Sequence, residues 1–134
     1  MDGIERFGSG APWEGAVGYS RAVRAGPFVF VAGTTAIDED GAVRAPGDAY
    51  EQACHALDAV EQALAGAGAR LDQVVQTRLY VTDVSRWEEI GRAHGDRFGE
   101  IRPVTAMVEV AALIDPRMLV EIEALAYVGQ TTAI

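Results

Sequence analysis

The stretch LVEIEALAYV, residues 119–128, decides the fold because it alternates between two kinds of side chain. Successive side chains of a β-strand point to opposite faces of the sheet, so this period of two predicts a strand with two different faces. One face carries small and branched residues that suit packing against helices: Val120, Ile122, Ala124 and Ala126. The other face is mixed in character: Glu121, Glu123, Leu125 and Tyr127.

Two neighbouring segments extend the alternation. Residues 104–111 predict a strand with one set toward the helices, Val104, Ala106, Val108 and Val110, and a second set opposite, Thr105, Met107, Glu109 and Ala111. Residues 74–81 place an apolar set, Val75, Thr77, Leu79 and Val81, opposite a polar set, Gln76, Arg78 and Tyr80. If the second sets share a face, it carries Arg78, Glu109, Glu121 and Glu123 among apolar side chains. Such a face is either an oligomer interface with pockets or a solvated surface.

Helical signals separate these strands. Asp48, followed by Glu51, predicts the start of a helix over 48–65, with an apolar face and two glycines after it: Ala53, Leu57, Val60, Leu64, Gly66 and Gly68. Ser85 and Glu88 predict a second capping box before a helix that ends near Gly99. Its apolar stripe holds Trp87, Ile90, His94 and Phe98, so His94 is interpreted as a core residue.

The remaining strands complete the predicted order. Residues 19–23 and 28–32 flank the turn Ala25-Gly26-Pro27 and predict a β-hairpin, and residues 4–7 are a possible extra strand. The order β-β-α-β-α-β-β in 134 residues predicts a single domain over 1–134. The fold class is α+β, a mixed sheet with two helices on one face.

Composition excludes several functions. The chain has 20 acidic and 11 basic residues and a net charge of −9, which disfavours nucleic acid as a partner. Every basic residue is arginine, so catalysis through a lysine Schiff base is excluded. The longest apolar run, 27–33, is too short for a membrane span, and residues 1–5 do not resemble a secretory signal, so a cytoplasmic location is expected.

Cysteine and histidine give no metal signal. Cys54 is the single cysteine and cannot form an intramolecular disulfide, and His55 and His94 show no zinc-binding spacing. Cys54 next to a buried helix face predicts an inert thiol. We therefore expect no metal site.

Several segments resemble the RidA/YjgF family, the reactive intermediate deaminases. They are Gly18-Tyr19-Ser20-Arg21-Ala22-Val23, Phe30-Val31-Ala32-Gly33-Thr34, Tyr80-Val81-Thr82-Asp83, Arg102-Pro103, Val108-Glu109-Val110 and Val120-Glu121-Ile122-Glu123-Ala124. The resemblance covers nearly the whole chain. It implies a chorismate-mutase-like subunit, a homotrimer around a central barrel, small-molecule clefts between subunits, and hydrolysis of imines or enamines without a cofactor.

The resemblance also implies roles for individual residues. The glutamate that directs water in the family falls on Glu121, and the cleft tyrosine falls on Tyr19. Thr105 stands where deaminating members carry an arginine that binds the substrate carboxylate. Met107 stands at the family's cysteine position, and Ala32, before Gly33, stands at a position where serine is common.

Two questions stay open from the sequence. Arg78 either supplies a repositioned anion site or neutralises a nearby carboxylate. The chain is either a deaminase using Glu121 or a trimeric module that binds a metabolite or a protein without catalysis, since Thr105 replaces the arginine. An older family label, endoribonuclease, is disfavoured by the acidic composition.

Overall fold

A six-stranded sheet and two helices form the framework of the computed structural model, which describes residues 3–129. The strands are β1 (Ile4–Phe7), β2 (Ala22–Ala25), β3 (Phe28–Thr34), β4 (Val74–Val81), β5 (Val104–Glu109) and β6 (Val120–Tyr127). The helices are α1 (Ala49–Gly66) and α2 (Trp87–Phe98). Shorter helical turns cover Glu14–Gly18, Leu71–Gln73 and Val84–Arg86. Within this part of the chain no helix is both long and apolar enough to cross a membrane.

The sheet runs in the order β1-β2-β3-β6-β4-β5. Only the β4–β5 pair is parallel among the described strands, and α2 provides the crossover that a parallel connection requires. The β2–β3 hairpin turns at Gly26, whose φ of 57° lies in the left-handed region that glycine tolerates. The predicted mixed sheet is confirmed, and the extra strand at residues 4–7 is present.

The first helix begins where the sequence predicts. Asp48 Oδ1 accepts a hydrogen bond of 3.0 Å from the Glu51 amide, as an N-cap should. The capping box predicted at Ser85 and Glu88 is wrong. Asp83 Oδ1 accepts from both the amide and the hydroxyl of Ser85, and α2 starts only after the intervening 3₁₀ turn.

The core lies between the helices and one sheet face. α1 packs on β3 and β6 and against α2, and the buried side chains include Leu57, Leu64, Leu79, Ile90, Phe98 and Ile122. Strand β4 deviates from the predicted alternation at one end. A register shift between Val74 and Gln76 buries Val74 and leaves Val75 44% exposed, because the extra residue of a bulge is turned out of the pattern.

The predicted orientation of strand 104–111 is wrong. Thr105, Met107 and Glu109 pair in register with Thr77, Leu79 and Val81, all of which are buried on the helix side. Residues paired in register point to the same face, so Thr105, Met107 and Glu109 lie on the helix side as well. Glu109 accepts a hydrogen bond of 2.9 Å from the Val84 amide there, next to the start of α2.

The opposite sheet face mixes polar with apolar side chains, and no helix among residues 3–129 covers it. Glu121, Glu123 and Leu125 pair with Tyr80, Arg78 and Gln76, as the alternation predicts. The face also presents exposed apolar side chains from β3, β5 and β6: Phe28, Phe30, Val104, Val108 and Tyr127. Phe28 and Tyr127 contact each other with ring centroids 5.4 Å apart.

Gln52 ties α1 to the segment that enters β6. Its buried amide donates to the carbonyls of Ala45 (3.3 Å) and Arg117 (2.8 Å), and its Oε1 accepts from the Leu119 amide at 2.8 Å. The Ala45 carbonyl also accepts from the Asp48 amide at 3.0 Å, so the Arg117 carbonyl and the Leu119 amide are the two backbone groups that depend on this side chain. This anchor sets the position from which β6 carries Glu121.

Replacement of this amide tests the anchor. Gln52→Met should lower the free energy of unfolding by about 2–5 kcal/mol, because an unpaired buried polar group costs roughly 1–3 kcal/mol. Chemical denaturation monitored by circular dichroism measures the change. Gln62→Met, at an exposed glutamine of the same helix, is the control and should shift stability by no more than about 0.5 kcal/mol. Equal effects of the two substitutions would show that the amide is not an anchor.

Candidate functional site

A cavity of about 430 Å³ opens beside the end of β3. Its walls come from the segment 7–22, the end of β3, one side of α1, Ile114 and Glu121. This volume is in the range of roughly 300–1,000 Å³ that is typical of small-molecule sites. Because Tyr19, Gly33 and Glu121 also line it together, this cavity is the candidate site.

Glu121 lies directly against Gly33 in the cavity wall. A Cβ placed on Gly33 would lie 2.8 Å from Glu121 Cδ and 2.9 Å from Oε2. Real Cβ atoms do not come so near, so only glycine lets the carboxylate lie directly over the β3 backbone. The alternation of β6 aims Glu121 away from the core, and Gly33 provides the space that receives it.

The surroundings of Glu121 favour its protonated form. Burial raises the pKa of this carboxyl above its usual value of 4.5, the negative charge of Glu123 raises it further, and Arg21 opposes both. The second carboxylate, Glu123, is held differently, since it accepts a 2.6 Å hydrogen bond from the Tyr80 hydroxyl. Glu121 thus has the properties of a general base or acid that works nearer neutrality than an ordinary glutamate.

Tyr19 and Arg21 line the same cavity from the segment before β2. The guanidinium carbon of Arg21 lies 5.8 Å from the centroid of the Tyr19 ring. Nη2 of Arg21 donates a 2.8 Å hydrogen bond to the Gly33 carbonyl. The cavity therefore has a cation beside its carboxylate, and Gly33 contacts both.

Glu14 secures the loop that forms one wall. Both of its carboxylate oxygens accept hydrogen bonds from Ser9, one from the amide at 2.9 Å and one from the hydroxyl. Burial by itself would raise the pKa of Glu14, but these hydrogen bonds and the charge of Arg21 lower it on balance. The Glu14 carbonyl also accepts from the Tyr19 amide at 2.9 Å, which fixes the approach to Tyr19.

The predicted site residues fall into three groups. Tyr19, Gly33 and Glu121 meet in the cavity. Arg78 and Ala32 instead line a second hollow of about 410 Å³, on the open sheet face beside Phe30 and Glu123. Thr105 and Met107 line neither and lie on the helix side of β5, where Thr105 Oγ1 is 2.8 Å from Thr77 Oγ1.

Arg78 lies near the carboxylate of Glu123 but forms no direct ion pair with it. It is in register with Glu123 on β6, and among residues 3–129 it makes no salt bridge within 4.0 Å. Hydrogen bonding to Glu123 raises the pKa of Tyr80, and Arg78 opposes that shift. These contacts associate Arg78 with Tyr80 and Glu123 rather than with the Glu121 cavity.

His94 is a core-side residue, as its helical stripe predicts. Its Nε2 lies 2.8 Å from Thr77 Oγ1, and its ring stacks on Phe98 with centroids 4.6 Å apart. Burial lowers the pKa of this imidazole, so the neutral form is favoured. Over residues 3–129 the structure groups no three His, Cys, Asp or Glu side chains in a way that would hold a metal ion.

Arg21 lines the cavity but is not among the site residues that the sequence predicts. It lies two positions after Tyr19, and side chains two apart in an extended segment point the same way. That spacing was the available signal. Three further cavity residues outside the prediction, Trp13, Val17 and Ile114, come from connecting segments without a periodic pattern, whereas Ala59 and Ala63 belong to α1.

Comparison with known proteins gives consistent matches over most of the chain. The family model described as Endoribonuclease L-PSP matches residues 10–128. A crystal structure from Mycobacterium tuberculosis, of a protein described as a member of the YjgF/YER057c/UK114 family, superposes with a TM-score of 0.85 at 55% sequence identity. That match covers 93% of this chain and 99% of the other.

Two curated proteins are also similar. An uncharacterised protein of Streptomyces coelicolor is 40% identical over 128 residues, which is 96% of this chain and 95% of that protein. The 3-aminoacrylate deaminase RutC of Acinetobacter baylyi is 32% identical over 110 residues, which is 82% of this chain and 86% of that enzyme.

The raised pKa of Glu121 has a consequence for stability. The folded chain binds this proton more tightly than the unfolded chain, so stability falls as the pH rises from 4.5 through the folded pKa. Glu121→Gln removes the buried charge and should be more stable than the wild type at pH 7. The difference should vanish below pH 4.5, where both states of the wild type are protonated.

Denaturation curves between pH 4 and pH 8 measure this difference. Glu100→Gln, at an exposed glutamate with no hydrogen bond or ion pair in the described part of the chain, is the control and should show no such pH dependence. A Glu121→Gln protein that is less stable than wild type at pH 7 would contradict the assigned electrostatics.

Proposed function

We propose a function from one premise: this chain belongs to the RidA/YjgF family, whose model is described as Endoribonuclease L-PSP. The proposed activity is hydrolytic deamination of imine or enamine intermediates to a carbonyl compound and ammonia. The observation that carries it is Glu121, a partly buried carboxylate of raised pKa in a cavity of ligand size. The similarity to a 3-aminoacrylate deaminase supports the same reaction class.

The chemistry requires only water and proton transfer. An enamine first takes a proton from solvent at its β-carbon, which moves the double bond to C=N. Glu121 then takes a proton from a water molecule whose oxygen forms a bond to the C=N carbon, while the π electrons move to nitrogen, which is protonated. Collapse of the resulting carbinolamine forms the C=O bond, breaks the C–N bond and releases ammonia. A carboxylate with a raised pKa is a stronger base than an ordinary glutamate and returns its proton more readily at the nitrogen than water does.

Position adds to this effect. Glu121 lies on an interior strand paired on both sides, and Gly33 leaves room for its carboxylate against β3. A base held in place on a rigid sheet avoids the entropy loss of orienting a free one. The endoribonuclease description is not carried over, because a net charge of −9 disfavours binding to the phosphates of RNA.

The proposed assembly is a homotrimer of the chorismate-mutase-like type, with a central barrel. The uncovered apolar face, with Phe28, Phe30 and Tyr127, is the surface that an oligomer would bury. Thr105 and Met107 lie on an edge strand, two strands from Glu121 and on the opposite side of the sheet. If they belong to the ligand cleft, a neighbouring copy supplies them, and the cleft lies between subunits.

A deamination assay tests the reaction. Purified protein should accelerate ammonia release from freshly generated 2-aminoacrylate or from 2-imino acids, and Glu121→Gln should reduce the rate by about 10²–10⁴-fold, the usual contribution of a general base. Glu100→Gln should leave the rate unchanged. Absence of acceleration on every imine and enamine, with no difference between wild type and Glu121→Gln, would favour a non-catalytic binding module.

Light scattering after size exclusion tests the assembly. The wild type should have three times the 14.2 kDa chain mass, because the apolar sheet face is buried between copies. Phe30→Asp should shift the mass toward one chain, since a charge in an apolar interface is costly. Val84→Asp, at an equally exposed residue beside α2, should stay trimeric. A monomeric wild type at micromolar concentration would contradict the trimer.

A further inference from the structure

We propose that Arg21 is the anion-binding residue of the Glu121 cavity, and that the cavity selects a carboxylate ligand with a bulky apolar substituent. The inference deepens the proposed function, on which the choice of ligand rests. Four observations carry it: the unmet bonding capacity of Arg21, its separation from Glu121, the pairing of Glu14 with another residue, and the apolar cavity wall.

Arg21 is partly buried without a counter-ion in contact. In the described residues 3–129, no carboxylate lies within the 4.0 Å of a salt bridge to its guanidinium. Nη2 donates to the Gly33 carbonyl, while Nε is buried with no hydrogen-bond partner in that same part of the chain. Arginines removed from water are normally paired. The buried Nε is out of reach of a ligand, but Nη1 has no hydrogen-bond partner among residues 3–129 and, with the second hydrogen of Nη2, is the capacity that a ligand would use.

The nearest acidic groups do not supply the missing partner. Arg21 acts electrostatically on both Glu14 and Glu121. The oxygens of Glu14, however, are engaged by the amide and hydroxyl of Ser9. Glu121 faces the cavity without a direct ion pair to Arg21. The guanidinium is therefore available to a ligand in the cavity, because no carboxylate of residues 3–129 pairs with it.

Gly33 lies against both charged side chains. Arg21 contacts its carbonyl oxygen, whereas Glu121 lies over the position where a Cβ would project. A ligand with an anionic end fits this arrangement, because its carboxylate meets the guanidinium while the neighbouring carbon faces Glu121. A guanidinium binds a carboxylate through two parallel hydrogen bonds, which would also fix the orientation of the ligand.

The size and lining of the cavity indicate the rest of the ligand. A volume of about 430 Å³ far exceeds the needs of a three-carbon acid, since it is within the range of drug-sized ligand sites. Trp13, Val17 and Ile114 line it, and Val17 and Ile114 are 71% and 68% exposed. Pockets lined mainly by apolar side chains bind apolar parts of a ligand. A branched or aromatic substituent next to the carboxylate would pack against these apolar side chains.

Arg24 provides a matched comparison within the same segment. It also donates to backbone carbonyls, to Ala67 at 3.1 Å and to Gly26 at 3.3 Å. Arg24 does not line the cavity that contains Glu121. Loss of Arg24 thus removes a comparable structural contact and a positive charge without touching the site.

The probe is 4-methyl-2-oxopentanoate, a product-class 2-oxo acid that cannot be deaminated, with its uncharged amide as partner. Isothermal titration calorimetry at neutral pH should show the acid binding wild type at least tenfold more tightly than the amide, because charge-assisted hydrogen bonds are the stronger ones. Arg21→Gln should lose that preference, Arg21→Lys should keep part of it, and Arg24→Gln should keep all of it. Thermal melts establish that each variant is folded.

The wild-type comparison alone can overturn the proposal, even if Arg21→Gln does not fold. Equal affinity for the acid and the amide, or no measurable binding of either, contradicts an anion site. Unchanged acid binding in Arg21→Gln contradicts the assignment to Arg21. Pyruvate should bind at least tenfold more weakly than the branched acid, because each buried CH₂ group contributes to binding. Equal affinity of the two acids would contradict the proposed selection of a bulky apolar substituent.

The outcome is separable from that of the proposed reaction. Binding that depends on Arg21 without ammonia release from any imine would leave this inference standing and reject the deaminase. Ammonia release that depends on Glu121, with acid binding unaffected by Arg21→Gln, would support the deaminase and reject the role of Arg21. Glu121→Gln should bind the acid at least as tightly as wild type, because it removes a neighbouring negative charge.

Discussion

The contact between Gly33 and Glu121 is the constraint on which the site depends. It arises where β3 and β6 pair, at a register shift between Val31 and Thr34. A side chain on residue 33 would displace the carboxylate, and a different register would turn Glu121 toward the core. The same glycine accepts a hydrogen bond from Arg21, so one backbone position orders both charges of the cavity.

The fold was predictable where the two faces of a strand differ strongly. Strand β6 alternates small apolar residues with glutamates, and its orientation followed directly. The predicted orientation of β5 was wrong because both sets of alternating residues contain apolar side chains. The strand also lies at the edge of the described sheet, where burial does not distinguish the two sets. Its orientation is set by the parallel register with β4, which depends on the α2 crossover rather than on local pattern.

The site was predictable in its strand-borne part. Glu121 and Gly33 lie on paired strands, Tyr19 lies three residues before β2, and all three line the cavity. Arg78 was harder to place, because alternation assigns a sheet face but not one of two hollows on that side. The loop residues Trp13 and Ile114 carry no periodic signal at all. Their contribution emerges only from the tertiary packing of segments distant in sequence.

This division has an evolutionary consequence. The carboxylate belongs to an interior strand, where most substitutions disturb the core, whereas Trp13, Val17 and Ile114 belong to connections that tolerate change at little cost in stability. Descendants of such a chain can exchange the wall residues one at a time while Glu121 stays in place. The residue proposed for the reaction and the residues that contact the ligand substituent thus lie on different parts of the fold. Ligand preference can therefore diverge within a lineage that keeps one reaction.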